Sequence, residues 1–291
     1  MSNIVVRRLR EPQEFLEAVE VQRSAWGMEG YREAAPAHLL RALADNGGLV
    51  LGAFHGSRMI GVSYGWPVPG KGYFYSHATG VSQGLKYRGV GLRLKLEQRR
   101  IVLGEMGLRL ARWTFDPLQA LNSRFNLAKL GAIVRVYVRD YYGEIRDSIN
   151  RGLGTDRAKA EWFLDSRRVE SRVSGRLAPD AEALERLRDM GAQAVFEAVG
   201  SPPRPLDQAP PWDSLGSVAL VPVPRNITSI ARESLGLARE WRAATRTAYE
   251  WLVRAGYVLV DSVRAGQISL NVFWRASIDR ILSGPEPWRA P

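Results

Sequence analysis

The sequence predicts an α/β protein with a mixed, mostly antiparallel central sheet flanked by helices, followed by a C-terminal α+β extension. Three observations predict this fold class. Strand-like apolar runs recur through the first half, helical repeats of apolar residues separate them, and a second set of such elements lies beyond residue 150. We expect a first domain at 1–150 and a C-terminal region at 151–291, with a proline-rich, linker-like stretch at 200–216.

The first domain is expected to alternate strands and helices. A strand over 4–9 precedes a helix that Pro12 opens and Gly27 ends, with Leu16, Val19 and Trp26 on one side. A glycine-rich turn separates a later strand from the longest helix of this half. The further elements expected here are a helix over 37–44, strands over 49–54, 59–66 and 73–81, a helix over 91–106, a strand over 108–115, a helix over 121–130 and a strand over 133–138.

The C-terminal region is less regular, although its last part has clear patterns. Leu237, Trp241, Ala248 and Trp251 recur at helical spacing before Gly256. The elements expected in this region are strands over 160–164 and 169–173, a helix over 179–190, the helix that contains Leu237 and Trp251, and a hairpin of strands over 257–263 and 267–274.

Composition excludes several classes of site. The 291 residues include no cysteine and three histidines, and the histidines lack metal-ligand spacing, so we expect no metal site. No uninterrupted apolar run is long enough for a transmembrane helix, and the N-terminus lacks the apolar core of a signal peptide. The expectation is therefore a cytoplasmic protein without a membrane partner. The formal charge of +11 suits an anionic partner, either a polyphosphate ligand or nucleic acid, although a solvated arginine-rich surface explains it equally well.

One segment carries a chemical signal. Lys86-Tyr87-Arg88-Gly89-Val90-Gly91-Leu92 lies between a predicted strand and a predicted helix. Glycines let the backbone approach a ligand closely, and the first-turn amides and dipole of a helix favour an anion such as pyrophosphate. A tight turn is the plainer interpretation of such glycines.

This segment resembles the phosphate loop of the GNAT superfamily of acyl-CoA-dependent N-acyltransferases. That loop has Arg or Gln, two residues, Gly, one residue, then Gly or Ala, and here Lys86, Gly89 and Gly91 occupy those positions. The resemblance extends over residues 3–142. The segments Ser76-His77-Ala78-Thr79-Gly80-Val81, Trp113-Thr114-Phe115-Asp116 and Tyr141-Tyr142-Gly143 are similar to one subgroup of predicted GNAT acetyltransferases.

The resemblance implies a GNAT-like fold and acetyl-CoA, or another acyl-CoA, as co-substrate, with no metal. It makes 1–150 the acyl-CoA-binding domain, and the C-terminal region at 151–291 is expected to complete or cover the acceptor site. The resemblance also implies a small-molecule amine as acceptor, and it allows a homodimer because two packed copies are common in the family. The residues that it implies for coenzyme A binding are the Val81 amide as oxyanion donor, the loop residues Lys86, Tyr87, Arg88, Gly89, Val90, Gly91 and Leu92, and Asn122 and Asn126 beside the pantetheine arm.

Three residues are candidates for catalysis. His77 shares strand parity with Val81 and has an ordinary pKa suited to a general base, whereas a half-buried structural histidine is the alternative. Asp116 follows a strand and could bind a substrate ammonium or cap the next helix. Many family members place an acidic tyrosine where this chain has Leu127, so Tyr142 is the candidate replacement acid.

Two further residues are candidates for the substrate side. Trp113 belongs to the subgroup pattern, and Arg157 could bind a substrate carboxylate, with an ordinary ion pair as the alternative. The predicted function is transfer of an acetyl or other short acyl group to a primary amine of an amino acid or small metabolite. A non-catalytic acyl-CoA-binding regulator is the first alternative. Nucleic-acid binding is a less favoured one, since the chain shows no recognised nucleic-acid motif.

Overall fold

The computed structural model describes residues 4–28, 30–83, 89–143, 152–175, 177–206 and 212–290. The chain divides into two compact units. The first runs from the N-terminus to Trp113, and the second contains the described residues from Thr114 onward. The predicted functional division at residue 150 is not tested by this packing and stays a prediction.

The first unit is a five-stranded sheet with helices on both faces. The chain follows the predicted order closely, and the left-handed Gly27 ends the first helix as expected. Leu16 is exposed, however, so the buried side of that helix is formed by Phe15, Ala18 and Val19 instead. The elements are β1 (Ile4–Arg8), α1 (Pro12–Trp26), α2 (Ala37–Asp45), β2 (Leu49–His55), β3 (Arg58–Val68), β4 (Tyr73–Val81), α3 (Val90–Gly104) and β5 (Leu110–Phe115), whose last two residues belong to the second unit.

The sheet order in this unit is β1-β2-β3-β4-β5, antiparallel except for the β4–β5 pair. Neighbouring residues of β3 show how the helices cover it. Tyr64 donates to Gln22 of α1 at 3.1 Å, whereas Ser63 accepts from Gln98 of α3 at 3.2 Å. Because successive strand residues point to opposite faces, α1 and α3 cover opposite sides of the sheet.

The second unit is also a mostly antiparallel sheet with helices. Its main strand order is β7-β6-β12-β13-β11-β8, and β9 pairs with β10. Its elements are α4 (Ala120–Ser123), a π-helical turn (Arg124–Lys129), β6 (Ile133–Val138), β7 (Arg157–Phe163), α5 (Arg167–Val173), α6 (Asp180–Asp189), β8 (Gln193–Ala194), β9 (Ala198–Val199), β10 (Arg204–Pro205), β11 (Val218–Pro224), α7 (Ile227–Glu233), α8 (Leu235–Arg254), β12 (Val258–Ala265), β13 (Ile268–Trp274) and α9 (Ile278–Leu282).

A buried ionic cluster holds the C-terminal residues of this unit. Glu286 binds both Arg168 and Arg172, and Asp261 of β12 accepts from Arg289 at 2.7 Å. Trp288 donates to the same Asp261 carboxylate at 2.9 Å. Burial alone would raise the pKa of Asp261, but the adjacent arginines outweigh it and hold that pKa below its usual range.

The predicted α/β class with mostly antiparallel sheets flanked by helices is confirmed. One local prediction in the second half is wrong, and one strand there was not predicted. Residues 169–173 lie in the helix α5 rather than in a strand, because Ser166 caps a helical turn there by accepting from the Val169 amide. The strand β11 was not anticipated, since Pro222 and Pro224 disfavour a strand, yet all seven of its residues are buried between β13 and β8.

Candidate functional site

The start of α3 has the geometry expected of an anion cradle. Gly89 caps the helix in the left-handed region at φ +86°, and among the described residues no atom lies within 4 Å of the position that its Cβ would occupy. Val90 is buried, whereas Gly91 and Leu92 are half-buried. The first amides of any α-helix have no carbonyl partner within the helix, so they remain available to a ligand. Lys86, Tyr87 and Arg88 lie outside the described residues.

His77 stands at a bulge in β4. Tyr64 of β3 pairs with Ala78, but Gly65 pairs with Ser76, so His77 is the extra residue of β4 between them. Gly65 is required here, because a Cβ at this position would lie 2.2 Å from the Tyr75 carbonyl oxygen. The bulge therefore depends on a glycine in the neighbouring strand.

His77 is an exposed residue, and three aromatic rings lie beside its imidazole. Its ring centre lies 5.4 Å from that of Tyr64, 5.5 Å from that of Trp66 and 6.1 Å from that of Tyr75. The resulting loss of hydration lowers the pKa of His77 below 6.5. The imidazole is therefore neutral at physiological pH and can accept a proton.

β4 and β5 pair only over a short stretch of the described residues. Phe74 pairs with Ala111 and Tyr75 with Arg112, before the His77 bulge. Val81, at the far end of β4, pairs with Gly61 of β3. Its predicted role as the oxyanion donor stays a prediction.

Trp113 of β5 is buried, and its exposed fraction is 7%. The Lys95 ammonium nitrogen lies 3.9 Å from the centre of its indole ring. This environment favours packing within the unit over direct contact with substrate, and the predicted substrate role of Trp113 is untested.

Asp116 lies in the second unit and is engaged by an arginine. Arg242 of α8 donates to both carboxylate oxygens at 2.9 and 2.5 Å, and the Leu118 amide donates to the same carboxylate at 2.9 Å. Asp116 and Arg242 are both buried. The arrangement favours a structural role that includes the capping contact, whereas binding of a substrate ammonium stays a prediction.

Tyr142 is exposed at 43% and lies beside Thr114, with 2.9 Å between the two hydroxyl oxygens. The Arg157 guanidinium lies 5.3 Å from the centre of the Tyr142 ring and donates to the Asp156 carbonyl at 2.9 Å. Asp156 itself is bound at both oxygens by Arg246, at 2.8 and 2.6 Å. The structure thus brings Tyr142 and Arg157 together within the second unit.

The two predicted pantetheine contacts do not share a helix face. Asn122 is exposed at the end of α4, whereas Asn126 is buried in the π-helical turn. In this turn the Leu130 amide donates to the Phe125 carbonyl, five residues back, at 3.0 Å. A π-helical turn contains more residues than an α-helical turn, so residues four apart, such as Asn122 and Asn126, no longer lie on one face of the helix. Leu127, in the position where many relatives have a tyrosine, is fully buried.

Sequence reasoning missed a buried polar network around Lys95 in the first unit. The Lys95 ammonium donates to Ser76 Oγ at 2.9 Å and to Gln98 Oε1 at 2.7 Å. Burial lowers the pKa of Lys95 from 10.5 to about 7. A signal was present, because Lys95, Gln98 and Val102 follow the spacing of a buried helix face.

The described part of the chain contains neither a membrane-spanning helix nor a cluster of metal-binding side chains. No helix there combines the length and apolar character needed to cross a membrane. No group of three or more His, Asp or Glu side chains there could hold a metal ion.

Comparison with known proteins gives likeness of fold only. No protein-family model matches the chain, and no curated protein sequence matches it. The chain is similar to solved structures of GNAT-family acetyltransferases. The PaiA N-acetyltransferase from Thermoplasma acidophilum in complex with coenzyme A has a TM-score of 0.41 and 20% identity, covering 54% of this chain and 98% of that one.

Two further structures show the same likeness. The ribosomal-protein-S5-alanine acetyltransferase from Vibrio fischeri has a TM-score of 0.46 and 10% identity, covering 57% of this chain and 95% of that one. A GNAT-family acetyltransferase from Brucella melitensis in complex with acetyl-CoA has a TM-score of 0.33 and 23% identity, covering 40% and 78%. At these scores the likenesses carry no conclusion about the activity of this chain.

Proposed function

We propose that the protein is an acyl-CoA-dependent N-acyltransferase that moves an acetyl or other short acyl group onto a primary amine. The start of α3 is the observation that carries this proposal. No atom of the described residues lies within 4 Å of the Cβ position of Gly89 at the start of a 15-residue helix, and the preceding sequence supplies Lys86 and Arg88. Open backbone, a helix N-terminus and positive charge together suit a pyrophosphate, which coenzyme A contains.

The chemistry requires groups that handle protons. The amine nitrogen attacks the thioester carbon and loses a proton, the carbon–sulfur bond breaks, and the thiolate takes up a proton. A neutral His77 suits the role of base, because its lowered pKa keeps it uncharged at physiological pH. Tyr142 is the proposed acid, and its hydroxyl lies 2.9 Å from that of Thr114.

We also propose an acceptor that carries a carboxylate, such as an amino acid. This extension rests on Arg157, whose guanidinium lies close to the ring of Tyr142. Arginine binds carboxylates with two parallel hydrogen bonds. A turnover screen of matched amines with and without a carboxylate tests it, and equal turnover of both sets would contradict it.

The cradle is tested by thermal unfolding with acetyl-CoA, succinyl-CoA and free coenzyme A on the wild type and a Gly89→Glu variant. A ligand that binds only the native state stabilises it by about 2.7 kcal/mol at a hundredfold excess over its dissociation constant. We expect the wild type to shift. The variant should not, because the new carboxylate would repel the phosphates and fill the space beside the helix.

Gly107→Glu is the matched control for this variant. Gly107 follows the other end of α3, also has a positive φ of +66°, and has no atom of the described residues within 4 Å of its Cβ position. The Gly107→Glu substitution therefore introduces the same charge and a similar backbone strain, but at a position away from the start of α3. A shift that survives in Gly89→Glu, or one that is lost equally in Gly107→Glu, would refute the cradle.

A non-catalytic acyl-CoA-binding protein is the second candidate. The buried Leu127 favours it, since that position cannot supply the acid used by many relatives. Thioester turnover in the presence of amines separates the two candidates. Binding without any turnover over a broad amine screen would favour the regulatory role.

A further inference from the structure

A chain of buried polar side chains joins α3 to both sides of the β4 bulge. Lys95 donates to Ser76 at 2.9 Å and to Gln98 at 2.7 Å. Gln98 donates to Ser63 at 3.2 Å, and the hydroxyl oxygens of Ser63 and Thr79 lie 2.8 Å apart. Lys95, Gln98, Ser63 and Ser76 are each at most 3% exposed.

The two ends of this chain lie on opposite sides of the extra residue in β4. Ser76 precedes His77, and Thr79 follows it by two positions. Ser63 pairs with Thr79 in the regular register of β3 and β4, whereas Ser76 pairs with Gly65 beyond the bulge. The side chains of Lys95 and Gln98 therefore bridge the point at which the register changes.

The Lys95 ammonium group also contacts β5, in addition to Ser76 and Gln98. The Lys95 nitrogen lies 3.9 Å from the centre of the Trp113 ring, beyond the short stretch where β4 pairs with β5. A cation held against an indole face is attracted by the ring's electron density. One side chain thus contacts β4 and β5 directly and reaches β3 through Gln98.

We propose that Lys95 is a positioning residue that acts through Ser76 to hold the β4 bulge and, with it, the orientation of the His77 imidazole among its aromatic neighbours. This extends the proposed function, because it explains how the candidate base is oriented. Buried polar side chains cost free energy unless they form hydrogen bonds. The side chains of this network are hydrogen-bonded to one another, and these bonds fix one register of β4 against β3 among those that the strand could adopt.

The orientation of His77 can be measured without an activity assay. The chain has only three histidines, so their imidazole proton signals are few, and a His77→Gln variant assigns the one of interest. Ring currents from Tyr64, Trp66 and Tyr75 make the His77 signal sensitive to its position. At about pH 9, above the pKa values of both His77 and Lys95, the two groups are uncharged, so a change in that signal reports orientation rather than charge.

We expect Lys95→Met and Ser76→Ala to move the His77 signal while those of His38 and His55 stay in place. Ser76→Ala keeps the amine and removes only its acceptor on β4. Leu94→Ala serves as the control, because Leu94 is a fully buried neighbour on α3 that takes no part in the network and its truncation destabilises the core generally.

An unchanged His77 signal in both Lys95→Met and Ser76→Ala would overturn the proposal, as would an equal displacement in Leu94→Ala. If Lys95→Met fails to fold, Ser76→Ala alone decides. Coenzyme A binding is measured separately on the same proteins. If the wild type does not bind coenzyme A, the proposed function is refuted and this inference stands. If the His77 signal does not move in the two network variants, only this inference is refuted.

Discussion

At the scale of single residues, the buried pair of Asp116 and Arg242 shows how a side chain suited to chemistry can be committed to structure. Two donor contacts from one guanidinium and one from a backbone amide occupy the carboxylate. Burial disfavours the charged Arg242, but the carboxylate of Asp116 outweighs it and raises the pKa of Arg242. The Arg242 guanidinium therefore stays charged inside the unit.

We predict that Arg242→Met destabilises the protein by about 3–5 kcal/mol, because it leaves the Asp116 charge buried without its partner. The double variant Asp116→Leu with Arg242→Met should recover much of this loss, since no isolated charge remains. Chemical denaturation of the two single variants and the double variant measures both effects. Losses that simply add in the double variant would show that the pair is not coupled.

At the scale of elements, the β4 bulge depends on a close approach to β3. Gly65 allows it, since a Cβ there would lie 2.2 Å from the Tyr75 carbonyl oxygen and 2.7 Å from the Phe74 ring. The backbone oxygen cannot rotate away as the end of a long side chain could. A larger residue at this position must therefore displace the strand.

We predict that Gly65→Ala destabilises the first unit by about 1–3 kcal/mol or more, as expected for overpacking against backbone. It should also move the His77 imidazole signal in the same NMR experiment. Hydrogen exchange of the β4 amides and denaturant unfolding measure the change in stability.

Gly104→Ala is the matched control for that substitution. Gly104 is the last residue of α3, and its Cβ position has nothing within 4 Å. Alanine favours helix over glycine by roughly 0.5–1 kcal/mol, so this variant should be neutral or slightly more stable. Equal destabilisation by Gly65→Ala and Gly104→Ala would show that the close approach of β3 to β4 at Gly65 does not cause the loss of stability.

At the scale of the whole molecule, several of the basic side chains behind the formal charge of +11 lie inside the protein. Lys95, Arg168, Arg172, Arg242 and Arg289 are all buried. The four arginines each bind a carboxylate, in the Asp116 pair or in the cluster of Asp261 and Glu286. Because Asp116, Asp261 and Glu286 are buried as well, these charges largely cancel, and most of the net positive charge lies on more exposed residues.

Lys95 makes global stability depend on pH in a defined direction. Its pKa is about 7 in the folded protein and 10.5 as the ordinary value, so the unfolded chain binds the proton more tightly. Stability should rise as pH increases above about 7, with a slope of up to about 1.4 kcal/mol per pH unit from this one group.

Denaturant unfolding between about pH 7.5 and 9.5 measures this slope. The window lies above the titration of His77 and below the region where buried tyrosines, whose pKa values are raised, would reverse the trend. Lys95→Met should flatten the curve over the same range. A wild-type slope equal to that of the variant would show that Lys95 does not carry the effect.

The sequence by itself determined the α/β class, nearly all elements of the first unit, and a helix that begins in the glycine-rich segment, expected from residue 91 and observed from Val90. These features follow from local properties: apolar periodicity, glycine stops, and the need for a left-handed residue at a helix cap. Lys86, Tyr87 and Arg88 remain sequence predictions, since they lie outside the described residues.

Only the tertiary structure decided which polar side chains are free to act and which are held. Arg242 reaches Asp116 from 126 residues away, Lys95 meets Ser76 through helix packing, and the π-helical turn separates Asn122 from Asn126. β11 became a strand despite its prolines because its neighbours bury it. Each outcome depends on contacts between residues distant in sequence, and the free energy of those contacts is absent from any local pattern.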